Sequence, residues 1–284
     1  MTIEAAKTVE AIQPQLQKMM PRLNERAPNF DALTTDGRRK LSDYEGKWLI
    51  LFSHPSDFTP VCTTEFMAFA VNAPKFEKLN CELLGLSVDS HYAHIAWKRN
   101  IHENFGIEIP FPIIADINMA VAQDYGMIQP KASSTEPVRA TFIIDPVGVM
   151  RAMVYYPMTN GRSVQEFLRL LSSLQTSDEH GVATPEGWRP GDNVIIAPPA
   201  TSGAAERRQK MAQQDPGYEY TDWYYCERPL SLAAKPEQKA AVKSAAEDDD
   251  AGLLPEDADA SIAVDRRGSD RRTDDRRADV KIPA

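Results

Sequence analysis

The strongest nucleophiles in this sequence are its three cysteines, Cys62, Cys81 and Cys226. Cys62 stands out by its setting. It lies in the stretch HPSDFTPVCTTEF, His54 to Phe66, after a proline-rich loop and before the expected first turn of a helix. The leading N–H groups of a helix are unpaired, and the helix dipole favours negative charge there. A thiol at that point is drawn toward its thiolate, the form that attacks electrophiles. Thr59, three residues earlier on the same loop, can bring a hydroxyl to the same small space. Arg139 heads the apolar run ATFIID and reaches the loop if that run is a strand beside Trp48–Ser53. A thiolate flanked by a hydroxyl and a guanidinium suits attack on a small polar electrophile. Glu65 occupies the position where a dithiol oxidoreductase would carry its second cysteine, so a single thiolate must start the chemistry.

The other two cysteines read differently. Cys81 begins an apolar strand pattern and is expected to be core. Cys226 follows an aromatic run, DWYYC, where it either packs or acts as a second thiol. An odd number of widely spaced cysteines is no secreted disulfide framework, and no CxxC or zinc-type spacing occurs. His91 and His94 fall three apart on an expected helix but have no accompanying carboxylate pattern. No metal site is expected from them.

The elements that must position Cys62 follow from periodicity. Trp48–Ser53 is a short continuous apolar run, as expected of a strand buried on both faces. Phe66, Phe69, Ala70, Ala73, Phe76 and Leu79 then recur at helical spacing, with Pro74 expected to kink or split that helix. A strand over CELLGLSVD, a helix from Asp89-Ser90 to Gly106, a strand at FPIIAD and a short helix at NMAVAQDYG come next. The turn Asp145-Pro146-Val147-Gly148 separates two apolar runs and predicts a hairpin. Ser163 and Glu166 form a capping-box pattern ahead of the stripe Val164, Phe167, Leu168 and Leu171. The order β-α-β-α-β-α-β-β-α specifies an α/β fold, a mixed sheet with helices on both faces, compatible with a thioredoxin-like core.

Composition excludes several classes. The chain has 284 residues, 42% hydrophobic and 26% charged, enough for a sizeable core. A net charge of −9 offers no footprint for nucleic acid. The repeated Asp-Arg-Arg segment over 265–279 has six arginines against five aspartates, so its field is nearly zero. No apolar run approaches a membrane span, and the N-terminus lacks the pattern of a signal peptide, so a cytoplasmic location is expected. Residues 1–24 read as an extension, 25–187 as the catalytic domain, 188–230 as an aromatic-rich arm and 231–284 as a solvated, disordered tail.

The run Pro55-x-x-x-Thr59-x-x-Cys62 resembles the active-site signature of peroxiredoxins. HPSDFTPVCTTE is similar to the subfamily containing one-cysteine peroxiredoxins and archaeal two-cysteine enzymes with long C-terminal arms. VRATFIIDP, YYPMTNGRS, WRPGDNVIIAPP and DWYYC extend the resemblance over roughly residues 25–230, in collinear order. It implies a thiol peroxidase acting on hydrogen peroxide and organic hydroperoxides, with no metal, flavin or haem. Cys62 matches the peroxidatic cysteine and Thr59 the hydroxyl that bonds substrate and thiolate. Arg139 matches the arginine that stabilises the thiolate and the departing oxygen. Pro55 matches the residue that shields the pocket, and His54, Glu65 and Arg162 match supporting positions. Cys226 matches the resolving cysteine, which implies a disulfide with Cys62 and recycling by thioredoxin or a similar dithiol. The arm implies a homodimer, and the subfamily implies rings of five dimers. Two alternatives remain open at this point: a one-cysteine enzyme resolved by an external thiol, and a redox-switched holdase or peroxide sensor. The lipase-like G-x-S-x-G of some one-cysteine members is missing from NFDALTTDGRRK, so phospholipase activity is not expected.

Overall fold

The computed structural model describes residues 20–232, apart from Pro216 and Tyr218. Residues 1–19 of the expected extension and the expected tail from 233 onward lie outside the described residues. The chain divides into two compact units, the first ending at Thr176 and the second starting at Ser177.

The first unit is built on a seven-stranded mixed sheet. Its strands are β1 (Asp31–Thr34), β2 (Gly37–Lys40), β3 (Trp48–Ser53), β4 (Cys81–Ser87), β5 (Ile113–Ala115), β6 (Arg139–Ile144) and β7 (Met150–Tyr156), in the order β2-β1-β5-β4-β3-β6-β7. All six residues of β3 are buried, because it lies between β4 in parallel and β6 in antiparallel register with helices or loops over both faces. That double burial explains its continuous apolar sequence. The β6–β7 pair is the expected hairpin, closed by Gly148 N–H donating to Asp145 O at 2.9 Å.

The helices are α1 (Pro60–Lys78), α2 (His91–Phe105), α3 (Ala120–Asp124) and α4 (Val164–His180). One core joins alternate strand side chains such as Ile50, Phe52 and Leu83 to Phe66, Phe69, Trp97, Ile101, Phe167 and Leu171 from α1, α2 and α4. The opposite core joins Leu49, Leu51, Leu84, Leu86 and Phe142 to Val121 and Ala122 of α3 and to Phe30 and Tyr44. This is the thioredoxin-like arrangement of a mixed sheet between helical layers. Gly85 lets α1 sit close on the sheet: a Cβ there would stand 3.1 Å from the Phe66 ring.

One half of the reading at Pro74, a split or a kink, is corrected. Pro74 does not split its helix; α1 runs unbroken from Pro60 to Lys78. Buried Phe69 and Phe76 clamp the helix on either side of Pro74, and tertiary packing outweighs the one lost backbone bond. Helix α4 runs to His180 and ends at Gly181 with φ of 65°. Local caps otherwise act as expected. Ser90 Oγ accepts from Ala93 N–H at the start of α2, and left-handed Gly106 ends it.

The second unit contains β8 (Val194–Ile195), α5 (Ser202–Gln214), β9 (Glu219–Asp222) and β10 (Tyr225–Arg228). Its three strands pair antiparallel in the order β8-β10-β9, with a register shift between Tyr225 and Cys226. Among the described residues no helix is long and apolar enough to cross a membrane.

Candidate active site

The loop from β3 to α1 sets the position of Cys62. Phe58 holds a left-handed φ of 55°, a strained choice for a bulky residue, and turns the chain into the helix. Thr59 is the extended N-cap residue and Pro60 takes the first helical position, where a missing N–H costs nothing. Cys62 is therefore the third residue of α1, among the donors that lack an intrahelical partner. Thr59 Oγ donates to Ser56 O at 2.8 Å, and Thr59 O accepts from Thr63 N–H at 3.0 Å. Pro55 is buried in the same loop.

Cys62 is fully buried, and Arg139 Nη1 donates to its Sγ at 3.3 Å. Arg139 is the first residue of β6, and its Nε donates to Met158 O at 2.8 Å. Its other partner is Glu65, one turn along α1 from Val61. Glu65 Oε2 accepts from Arg139 Nη1 and from Arg162 Nη2, each at 2.8 Å. Glu65 Oε1 accepts from Arg162 Nε at 2.8 Å and from Arg162 N–H at 2.7 Å. Arg162 Nη1 also donates to Ala140 O at 2.7 Å and Thr141 Oγ at 3.1 Å. Four residues from three separate stretches of the sequence thus share one buried network. Two guanidinium groups and one carboxylate leave a single positive charge beside the sulfur, which a thiolate neutralises.

Burial pushes the Glu65 carboxyl up, but bonding and charge from Arg162 and the charge of Arg139 hold it below the usual carboxylate range. The linkage sign is that of a depressed carboxyl. Its contribution to stability is full above the ordinary carboxylate range and is lost as pH falls through the lowered folded value. Glu65→Gln leaves two buried cations without their anion, and about 3–5 kcal/mol of stability should disappear at neutral pH. Urea unfolding of the variant against pH would also lose the acid-side slope due to this group; an unchanged curve would show that the pair contributes nothing.

Sequence reasoning missed Ser53. Its Oγ donates to Val138 O at 2.6 Å and accepts from Ala140 N–H at 3.1 Å, gripping the backbone on both sides of Arg139. A polar residue ending an otherwise apolar strand was its only signal. It also missed Asp57. Asp57 Oδ1 bonds His54 Nε2 at 2.8 Å, and Oδ2 bonds His94 Nδ1 at 2.7 Å. His54 is fully buried, edge-on to Phe66 with ring centroids 4.7 Å apart, and its Nδ1 has no hydrogen-bond partner among the described residues. Burial lowers the His54 ring, with Asp57 acting in the opposite sense. His91 instead lies beside Tyr92, with the rings tilted by 38° and their centroids 3.9 Å apart.

Cys81 is buried, and burial drives its thiol far up, away from reactivity. Cys226 lies on β10 in the second unit, fully buried, with Sγ donating to Asp222 O at 3.4 Å.

Residues 23–153 match the AhpC/TSA family, and residues 173–211 match the C-terminal domain of 1-Cys peroxiredoxin. A peroxiredoxin of Aquifex aeolicus is 54% identical over 222 residues, covering 74% of this chain and 98% of that protein. A yeast mitochondrial 1-Cys peroxiredoxin structure superposes with a TM-score of 0.65 at 38% identity, covering 74% of this chain and all of the other. A cysteine-to-serine mutant of peroxiredoxin 6 from Arenicola marina gives 0.66 at 33% identity, covering 75% of this chain and 99% of the other. Fold and relatives together define a peroxidase oxidoreductase of thioredoxin-like architecture. The chain belongs to the AhpC/TSA family and, within it, to the peroxiredoxins. Membership implies a peroxide substrate and a thiol reductant.

Proposed function

We propose that Cys62 is the attacking thiolate and that Thr59, Arg139, Glu65 and Arg162 build its pocket. The observation that carries this is Arg139 Nη1 at 3.3 Å from Sγ inside a buried network of net charge +1. Sulfur attacks the near oxygen of a hydroperoxide, and the O–O bond breaks. Cys62 becomes a sulfenic acid, and the distal oxygen leaves and takes a proton as water or alcohol. Negative charge travels from sulfur to that oxygen, and a fixed guanidinium along the path lowers the barrier without reorganising. Buried Pro55 and His54 wall the pocket from water.

Cys226 then attacks the sulfenic sulfur, releasing water and leaving a disulfide, which a dithiol such as thioredoxin reduces. Its setting supports this reading. It sits at a register shift in a strand of four residues, where local opening is cheap. Residues 188–230 act as an arm, and the consecutive exposed aromatics Trp223, Tyr224 and Tyr225 offer a surface for a second copy of the chain in a dimer or larger ring. The protein works in the cytoplasm, where free thiols persist.

A second reading has its own support. The match of residues 173–211 to a 1-Cys domain and the full burial of Cys226 both favour an external thiol as resolving agent. A non-reducing gel after one equivalent of peroxide separates the two. Disulfide-linked dimers that vanish in Cys226→Ser are expected, along with a variant that consumes its first equivalent, stalls with thioredoxin and continues with dithiothreitol. Normal turnover of Cys226→Ser with thioredoxin would hand resolution to an external thiol.

A further inference from the structure

Ser56 to Thr59 form a four-residue turn centred on Asp57 and Phe58, braced by Thr59 Oγ donating to Ser56 O at 2.8 Å. Phe58 is its third residue and holds a φ of 55°. Glycine takes that left-handed conformation freely, whereas a bulky side chain crowds its own backbone there. Packing of the phenyl ring does not account for the choice, because Phe58 is 56% exposed. A strained residue of this kind persists only when its surroundings fix it. Along the chain those surroundings are Asp57 before it and the first turn of α1 after it, with Thr59 as N-cap and Cys62 as third residue.

Asp57 is fixed on three sides. Its Oδ1 bonds His54 Nε2 at 2.8 Å and its Oδ2 bonds His94 Nδ1 at 2.7 Å, and both rings are fully buried. Its N–H donates to Asp89 Oδ2 at 3.0 Å. Each partner is itself held. His54 N–H donates to Leu86 O of β4 at 2.9 Å, and His94 Nε2 meets Ile114 O of β5 at 3.1 Å. Asp89 Oδ2 also accepts from Ser87 Oγ at 2.7 Å. One residue thus ties the loop to β4, β5 and α2. Asp57, His54 and His94 also have the composition of a metal-ligand group, but separations of 2.7 and 2.8 Å are those of hydrogen bonds.

We propose that Asp57 is a positioning residue for the peroxidase reaction: its bonds to His54, His94 and Asp89 hold the left-handed turn at Phe58, and that turn sets the Thr59 hydroxyl and Cys62 in place at the start of α1. The effect on rate rests on the reading of Cys62 as attacking thiol; the effect on the turn does not.

Two measurements on the full-length chain test it. Asp57→Asn keeps the side-chain volume but offers one acceptor oxygen in place of two, so it cannot accept from both rings. Its first-turnover rate with hydrogen peroxide should fall roughly tenfold, the factor that strain of the size held in one such residue carries. Thr63 N–H, which donates to Thr59 O at 3.0 Å, should exchange faster by a similar factor, while the amides of β3 and β6 exchange as before. Adding Phe58→Gly to Asp57→Asn removes the strain and should restore most of the rate and of the Thr63 protection, which a purely structural role of Asp57 would not do. Asp89→Ala removes the backbone anchor at a half-buried site, where folding is least at risk, and should give both effects in reduced size. Unaltered rate and Thr63 exchange in Asp57→Asn, or a double variant no faster than Asp57→Asn alone, would overturn the proposal. So would loss of protection throughout β3 and β6 in both Asp57→Asn and Asp89→Ala, which would make the anchor a requirement of folding. If Cys62→Ser kept full activity, the peroxidase reading would fall while the exchange result still decided the role of Asp57 in the turn.

Discussion

Cys62→Ser should eliminate peroxide turnover, lowering the first-turnover rate by more than about 10⁴-fold, or about 5 kcal/mol of barrier. Serine is nearly isosteric, so the packing around the fully buried side chain survives and the loss is chemical. A hydroxyl is not ionised near neutrality and needs an adjacent base to become a nucleophile. The hydrogen-bond partner at this position is the Arg139 guanidinium, a donor that cannot take a proton. Thiolate sulfur is polarizable and attacks oxygen well; an alcohol does not. Stopped-flow mixing with one equivalent of hydrogen peroxide measures the effect. Cys81→Ser, at a thiol that burial keeps protonated, is the control that should retain its rate. Activity near that of the unaltered protein in Cys62→Ser would sink the assignment of the site.

Arg139→Ala should slow peroxide attack by roughly 10²–10³-fold, the cost of losing one preorganised donor to a developing anion. The charge count gives the reason. With Arg139 present the buried network carries +1, and a Cys62 thiolate brings it to zero. Without it, Glu65 and Arg162 already neutralise each other, and a buried thiolate would stand uncompensated. The fold should survive, because Glu65 keeps its bonds from Arg162 Nε, Nη2 and N–H. Arg139→Lys should fall between the two. It restores charge but not the planar fork that reaches Sγ, Glu65 and Met158 O together. Measuring first-turnover rate and iodoacetamide reactivity across pH for all three proteins separates charge from geometry. An alanine variant with an unaltered rate and unaltered thiol reactivity would show that Arg139 has no part in the attack.

Much of the frame that carries these predictions was legible in the residues. The apolar run Trp48–Ser53 fitted a strand buried on both faces, and it is one; the proline-rich loop before Cys62 marked a helix start. Ser90 and Gly106 marked the ends of α2 because both act on backbone groups within a few residues. Of the two outcomes expected at Pro74, the split does not occur, since the rule for proline counts one local bond and ignores the buried Phe69 and Phe76 on either side of it. His94 shows another limit. Its spacing from His91 pointed to no metal site, and nothing in that spacing pointed to Asp57, on the loop before α1, which bonds its ring.

The sequence by itself therefore determined which thiol stands at a helix start, which strands are buried on both faces and where the hairpin turns. These features depend on side-chain period and on backbone bonds between near neighbours. Tertiary structure decided everything that converges. Arg139 meets Glu65 across 74 residues, Arg162 meets it across 97, and Ser53 grips Val138 across 85. Those meetings require β6 to pair with β3 in one register, Leu49 opposite Ile144 and Phe52 opposite Thr141. A slip of one residue would send Arg139 to the other face of the sheet, away from Cys62. No local pattern encodes that choice. It is made by the two cores, which are buried together only when every strand presents its apolar side chains in the same register.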